Sequence, residues 1–217
     1  MIHTELRGVH AGYGREDVLK GVDAHIPQGV ITALVGANGA GKSTLLAVLA
    51  GTLKPRGGEI VRASRAGPAF VVQRSAVPDT LPLTVRDAVA MGRWAHRGPW
   101  RPLDRRDHAI VDRALDRVGI VDLSGRQLGE VSGGQRQRAL IAQGLAQEAD
   151  LLLLDEPSAG LDRQAREHIA RVIAELRGET TIVHATHFPD ESAGADHLLT
   201  LDEGRVVESV PNAHRGR

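Results

Sequence analysis

Two stretches near the start of the chain, residues 2–10 and 17–26, alternate loosely between apolar and polar positions around the loop signal GYGRED. A period of two predicts half-buried strands, here two strands of an antiparallel lobe. VITALV (30–35) is instead a continuous β-branched run, which predicts a strand covered on both faces. STLLAVLAG (43–51) reads as a helix that stops at Gly51, with Pro55 beyond it. Residues 57–63 and 69–72 read as short strands. From Thr84 to about Leu145 the pattern turns mostly helical; TVRD and DRRD are capping starts for helices near 85–91 and 105–118, the second ending at Gly119. Alternation then returns with a strand at LLLL (151–154), a helix over 162–177, a strand at TTIVHA (180–185) and a final strand pair at 197–201 and 205–210. Strands alternating with helices, interrupted by an all-helical insert, predict an α/β domain with a helical lobe. The expected division is one domain, with a core over about 1–77 and 146–210, a helical lobe over about 78–145 and a frayed tail over 211–217.

Composition narrows the classes. The chain has 217 residues, enough for one well-buried domain, and a net charge of zero. Neutrality removes the electrostatic reason to expect nucleic acid or an anionic membrane as the main partner. Cysteine is absent, which excludes disulfides and thiolate metal sites. MIHTELRGVH lacks an apolar signal core, and no apolar run approaches the ~20 residues of a membrane helix. The expectation is a soluble cytoplasmic chain whose membrane role, if any, runs through a partner.

The most informative motif is GANGAGKS (36–43), which matches G-x-x-x-x-G-K-[ST] and falls between the predicted strand 30–35 and the predicted helix 43–50. The backbone N–H groups of Gly36, Ala37, Asn38, Gly39, Ala40 and Gly41 can turn toward a phosphate, and the helix start adds partial positive charge. Lys42 can reach the β- and γ-phosphates, Ser43 can bind Mg²⁺, and Thr44 continues the cradle. Only three of the 27 basic residues are lysines, yet one stands here. A compact ammonium suits a crowded phosphate better than a planar guanidinium.

Ligands of open parallel sheets gather beyond the carboxyl ends of the strands. LLLLDEP places Asp155 and Glu156 at such an end: Asp155 fits a ligand of Mg²⁺, direct or through water, and Glu156 fits a general base for an attacking water. The alternative is a solvated acidic turn before Pro157. Gln73, ending AFVVQ, fits either a Mg²⁺ or water contact or a plain surface residue. In IVHATH, His184 and His187 point to opposite faces, so they do not chelate one metal. His187 can reach a γ-phosphate; His184 reads as a packed or surface histidine. Tyr13, the only tyrosine, can stack on adenine or can simply be an amphipathic loop residue.

A second glycine turn, VSGGQ (131–135), opens the helix that follows. Ser132 and Gln135 form a capping-box pattern, which accounts for both. The box does not account for Gly133 and Gly134, because glycine in a first turn costs up to ~1 kcal/mol relative to alanine. Uncovered N–H groups there suit an anion, yet the chain already has a phosphate cradle. One economical solution is that this turn serves the nucleotide of another copy.

Taken together, Tyr13, GANGAGKST, Gln73, VSGGQ, LLLLDEP, SAGLD and His187 occur in an order that resembles the ATP-binding subunits of ABC transporters over nearly the whole chain. The resemblance implies a P-loop NTPase (RecA-like) core with an N-terminal antiparallel β lobe and an inserted helical lobe. It also implies ATP and Mg²⁺ as ligands, and a head-to-tail dimer in which each ATP lies between the phosphate loop of one copy and the SGGQ turn of the other. By that analogy Ser132, Gly133 and Gly134 contact the partner's γ-phosphate, Asp162 of SAGLD links the two sites, Glu156 is the base, and His187 senses the γ-phosphate. The usual first residue of the signature is Leu; here it is Val131.

LPLTVRDAVAMGRWAHRGPWRPLDRRD (81–107) is similar to the equivalent stretch of zinc and manganese importer ATPases, and the wider sequence most resembles the actinobacterial-type zinc importers. Iron–siderophore and cobalamin importer ATPases are close alternatives. Arg93, Arg97, Arg101, Arg105 and Arg106, mixed with Trp94 and Trp100, suggest docking to a membrane permease, against a solvated basic loop. The resemblance places the chain peripherally on the inner face of the cell membrane, with a substrate-binding protein acting through the permease. The rival classes are a non-transport ABC ATPase acting on nucleic acid or ribosomes, and a plain P-loop kinase or GTPase. The latter leaves VSGGQ as a cap only.

Overall fold

The computed structural model describes residues 1–64, 67–72, 82–98 and 100–212. Gln73, the expected lobe boundary at 77–78 and most of the expected tail lie outside the described residues.

The N-terminal half runs β1 (Ile2–Ala11), β2 (Leu19–Pro27), β3 (Ile31–Val35), α1 (Lys42–Ala50), β4 (Gly57–Arg62) and β5 (Ala69–Val71). The helical lobe holds α2 (Val85–Ala90), α3 (Trp94–Arg97), α4 (Arg105–Arg117) and α5 (Gly133–Leu145). The chain then returns through β6 (Leu151–Asp155), α6 (Arg163–Glu175), β7 (Thr181–Ala185), α7 (Pro189–Ala193), β8 (His197–Asp202) and β9 (Arg205–Pro211).

Two sheets result. β2, β1 and β4 form an antiparallel lobe in that order, and the larger sheet has the order β5-β6-β7-β3-β8-β9. Its first five strands are parallel and β9 closes the edge antiparallel to β8. The expected α/β architecture with a β lobe and a helical lobe is therefore present. Continuous apolar strands are needed here because both faces of the larger sheet are covered. In β6, Leu152 and Leu154 face the core shared with the helical lobe and α6, including Val89, Ile110, Leu115, Ile141 and Ile169. Leu151 and Leu153 face the other core, with Leu45, Leu46 and Leu49 of α1 and Leu6, Val9 and Leu19 of the β lobe. β3 lies mid-sheet between β7 and β8, so the turn leaving its carboxyl end is held on both sides.

Helix starts follow the sequence signals. Thr84 and Asp104 each cap their helix in a reciprocal box, with Asp87 and Asp107 as the returning carboxylates. One basic residue expected on a docking surface has another job. Arg93 is 5% exposed. Its Nε donates to Asp107 Oδ1 at 3.0 Å, and its Nη1 donates to the Ala146 carbonyl at 2.7 Å and to Glu148 at 3.1 Å. Arg93 thus fastens the segment after α2 to the start of α4 and the end of α5. Arg97 joins the same cluster through Asp104 and, at 2.7 Å, Asp107. Trp94 and Trp100 do stand outside, at 41% and 94% exposure.

Candidate functional site

The turn between β3 and α1 is shaped by three glycines with positive φ, of which Gly36 is the most constrained. At φ 153° its added Cβ would lie 2.2 Å from the Leu201 carbonyl oxygen of β8, so only glycine lets the loop pass the neighbouring strand. Gly41, also at positive φ, is the N-cap of α1 and offers no side-chain acceptor. By contrast α4, α5 and α6 are each capped by a side chain, from Asp104, Ser132 and Asp162. The first-turn amides of α1 are therefore left to an outside acceptor, at the positive end of the helix dipole.

Lys42 lies over this loop, its Nζ donating to the carbonyls of Gly36 at 2.9 Å and Ala37 at 3.1 Å. Ser43 Oγ donates to Asp155 Oδ1 at 3.1 Å, which joins the loop to the carboxyl end of β6. Burial raises the Asp155 carboxyl above its ordinary range; the Ser43 hydrogen bond opposes this, the neighbouring Glu156 charge adds to it, and Lys42 pulls it back. Two hard oxygens set together, one on a carboxylate strained by desolvation, form a donor pair that a divalent cation would stabilise. Glu156 follows in the left-handed region at φ 45°, a placement that costs a non-glycine residue about 1–3 kcal/mol and recurs at functional sites. The sequence carries no signal for that strain. His187, past the end of β7, brings Nδ1 to 3.8 Å from Glu156 Oε1. Its ring lies against that of Phe188, centroids 4.1 Å apart and planes tilted by 37°, and the Arg166 guanidinium lies 4.5 Å from the Phe188 centroid.

A cleft of about 430 Å³ is lined by Asn38, Gly39, Gly41, Lys42, Ser43 and Thr44 from the loop and α1, with Glu156 and Val18 opposite. The structure therefore brings the phosphate-loop residues, Asp155, Glu156 and His187 together. Ala40 anchors the loop, its carbonyl accepting from the Gly204 amide at 3.0 Å. Tyr13 is 59% exposed and does not line the cleft; the turn carrying it leads to Val18, which does. His184 is packed, at 3% exposure.

The second glycine turn lies elsewhere. Ser132 Oγ accepts from the Gln135 amide at 3.3 Å, and Gln135 Oε1 accepts from the Ser132 amide at 2.9 Å. The cap is real, and it leaves the amides of Gly133 and Gly134 to other acceptors. Gly134 has a packing reason that the sequence hid: a Cβ there would stand 2.8 Å from the Ala165 Cβ of α6. Gly133 has none, since its Cβ would meet only Leu161 Cδ2 at 3.6 Å. A shallow cleft of about 230 Å³ joins Ser132, Gly134 and Gln135 to Asp162, whose Oδ1 caps α6 through the Ala165 amide at 2.8 Å. This cleft shares no lining residue with the one at the phosphate loop.

A family model described as ABC transporter matches residues 19–159, the span from β2 through the acidic end of β6 and the turn beyond it. The chain belongs to the ABC transporter family. Among relatives, it is 38% identical to the zinc transport system ATP-binding protein TroB of Treponema pallidum, covering 94% of this chain and 84% of that protein. It is 35% identical to the manganese transport system ATP-binding protein MntB of Listeria monocytogenes, covering 94% and 88%. Among solved structures, a metal-chelate type ABC transporter in an inward-facing conformation superposes with a TM-score of 0.86 at 29% identity, covering 97% of this chain and 83% of that one. This ABC transporter subunit binds ATP and is an ATP hydrolase. No helix among the described residues is long and apolar enough to cross a membrane.

Proposed function

We propose that the chain powers import of a transition metal ion, zinc or manganese, through a separate membrane permease, and that two copies clasp ATP head to tail. The observation that carries the two-copy reading is the pair of separate clefts: one has uncapped helix amides, a lysine and acidic groups, and the other has a glycine turn that shares no lining residue with the first. In this reading the loop amides of residues 36–41, with Lys42 and Thr44, hold the phosphates. Ser43 and Asp155 hold Mg²⁺, with Gln73 as a further contact. Mg²⁺ held there would supply positive charge to offset the negative charge that builds up in phosphoryl transfer. Glu156 takes the proton of the attacking water, and His187, 3.8 Å from it, contacts the γ-phosphate and orients that carboxylate. Tyr13 stacks on adenine. Ser132, Gly133, Gly134 and Gln135 close over the partner copy's γ-phosphate, and Asp162 connects the two sites.

The metal reading is supported by the names of the zinc and manganese relatives. Among the described residues no group of three or more metal-ligating side chains exists. In this reading the permease and a substrate-binding protein select the ion, with this chain on the cytoplasmic face of the membrane. The likeness to a metal-chelate type transporter and to a siderophore transport ATP-binding protein favours a second reading, import of a chelated iron complex. The deciding experiment reconstitutes the chain with its permease and binding protein and measures ATPase stimulation. Zinc or manganese stimulates under the first reading; stimulation by a ferric chelate alone supports the second, and stimulation by neither removes both.

A further inference from the structure

A small cavity among the described residues lies outside both clefts. It measures about 60 Å³ and is lined by Ser158, Ile173, His184 and Glu191, among others, so it lies between the turn after β6, α6, β7 and α7. Ser158 is 2% exposed and His184 3%. Three polar atoms on these residues, Ser158 Oγ, His184 Nδ1 and Glu191 Oε1, are buried without a hydrogen-bond partner. Burial pulls the His184 imidazole down to about 4, against the opposing charge of Glu191. The ring is neutral at neutral pH and carries one donor and one acceptor nitrogen. Buried polar groups of this kind are matched by protein or by water, and a cavity of this size holds about two to four waters.

The partners of Glu191 reach the catalytic segment. Its second oxygen, Oε2, accepts from the Thr186 hydroxyl, and that hydroxyl in turn accepts from the Phe188 amide at 3.1 Å. Thr186 and Phe188 flank His187. At the other end, Ser158 begins the loop that ends in Asp162, the cap of α6.

We propose that Glu191 is a positioning residue for hydrolysis: ordered water in this cavity joins it to Ser158 and His184, so that the 158–162 loop and His187 are set as one unit. The inference rests on the roles given above to His187 and to that loop. It gives contact with the second copy a physical route to the γ-phosphate contact within the same chain.

The test is a double-variant cycle on the full chain, reading ATP turnover, KM and Tm. Ser158→Ala and Glu191→Gln should each lower kcat about five- to tenfold at unchanged KM and nearly unchanged Tm, with the double variant no slower than the slower single. Thr186→Ser should retain turnover, whereas Thr186→Val should fall with Glu191→Gln; this pair decides the matter if Glu191→Gln folds poorly. A crystal structure should show water bonded to Ser158 Oγ and Glu191. Multiplying losses, kcat losses that track Tm, an active Thr186→Val, or a dry cavity would each overturn the proposal. Glu156→Gln runs in parallel: if it still turns over, the assigned catalytic roles fail, whereas if it is inert and the cycle shows no coupling, only the water link fails.

Discussion

Adding one methyl group at either of two adjacent glycines separates structural need from functional need at the second turn. At Gly134 a Cβ would be 2.8 Å from Ala165 Cβ, whereas carbons pack at about 3.5–4.0 Å. Gly134→Ala must push α5 and α6 apart by about 1 Å. Overpacking of this kind costs about 1–3 kcal/mol, and alanine's better helix propensity returns up to about 1 kcal/mol. The expected net loss is about 1 kcal/mol, or about 2–4 °C in Tm for a chain of this size. At Gly133 the new Cβ meets only Leu161 Cδ2, at 3.6 Å, which is ordinary contact. Gly133→Ala should therefore keep or raise Tm by about 1–3 °C. In the proposed two-copy site it should nonetheless lower kcat at least about tenfold, because the methyl would shield a donor to the partner's γ-phosphate, and losing a donor to developing oxyanion charge costs about 10²–10³. Thermal denaturation and steady-state ATPase on both variants settle it. A Gly133→Ala variant with full turnover would refute the reasoning that glycine is kept there for a ligand.

Gly36→Ala should destabilise the chain by about 1–3 kcal/mol or more and abolish nucleotide binding, since its Cβ would overlap the Leu201 carbonyl; calorimetry reads both. Asp155→Asn should make the chain without nucleotide more stable at neutral pH while removing hydrolysis. The sign follows from burial, which raises the native carboxyl above its unfolded value, so wild-type stability falls as pH rises from the unfolded value through the raised one, and Asn removes that dependence. Denaturant titrations from pH 4 to 7 test the slope. Arg93→Ala should lower Tm even without the permease, whereas Trp100→Ala should leave Tm unchanged and weaken the permease complex in a pull-down.

The sequence patterns that survived folding are those whose cause is local. VITALV and LLLL are strands buried on both faces, and the boxes at Thr84, Asp104 and Ser132 cap their helices because each needs only residues three apart. The phosphate loop was legible because its chemistry fixes two glycines, a lysine and a hydroxyl residue at set spacings within eight residues. What stayed hidden depends on contacts distant in sequence. Arg93 reads as a surface cation until Asp107 and the Ala146 carbonyl enclose it. Gly134 has a second reason to be glycine, its close approach to Ala165 of α6, that no local pattern shows. Thr186 and Glu191 are an exception, only five residues apart, yet their bond matches no capping spacing and becomes visible only when α7 folds against the end of β7.

The two-copy site is tested most directly by mixing two inactive chains, Lys42→Ala, defective at the phosphate loop, and Ser132→Arg, blocked at the glycine turn. Head-to-tail pairing leaves one intact composite site in each mixed dimer, so the mixture should hydrolyse ATP while neither variant does alone. A mixture that forms mixed dimers and stays inert, or a Ser132→Arg chain as active as the wild type, would contradict the account.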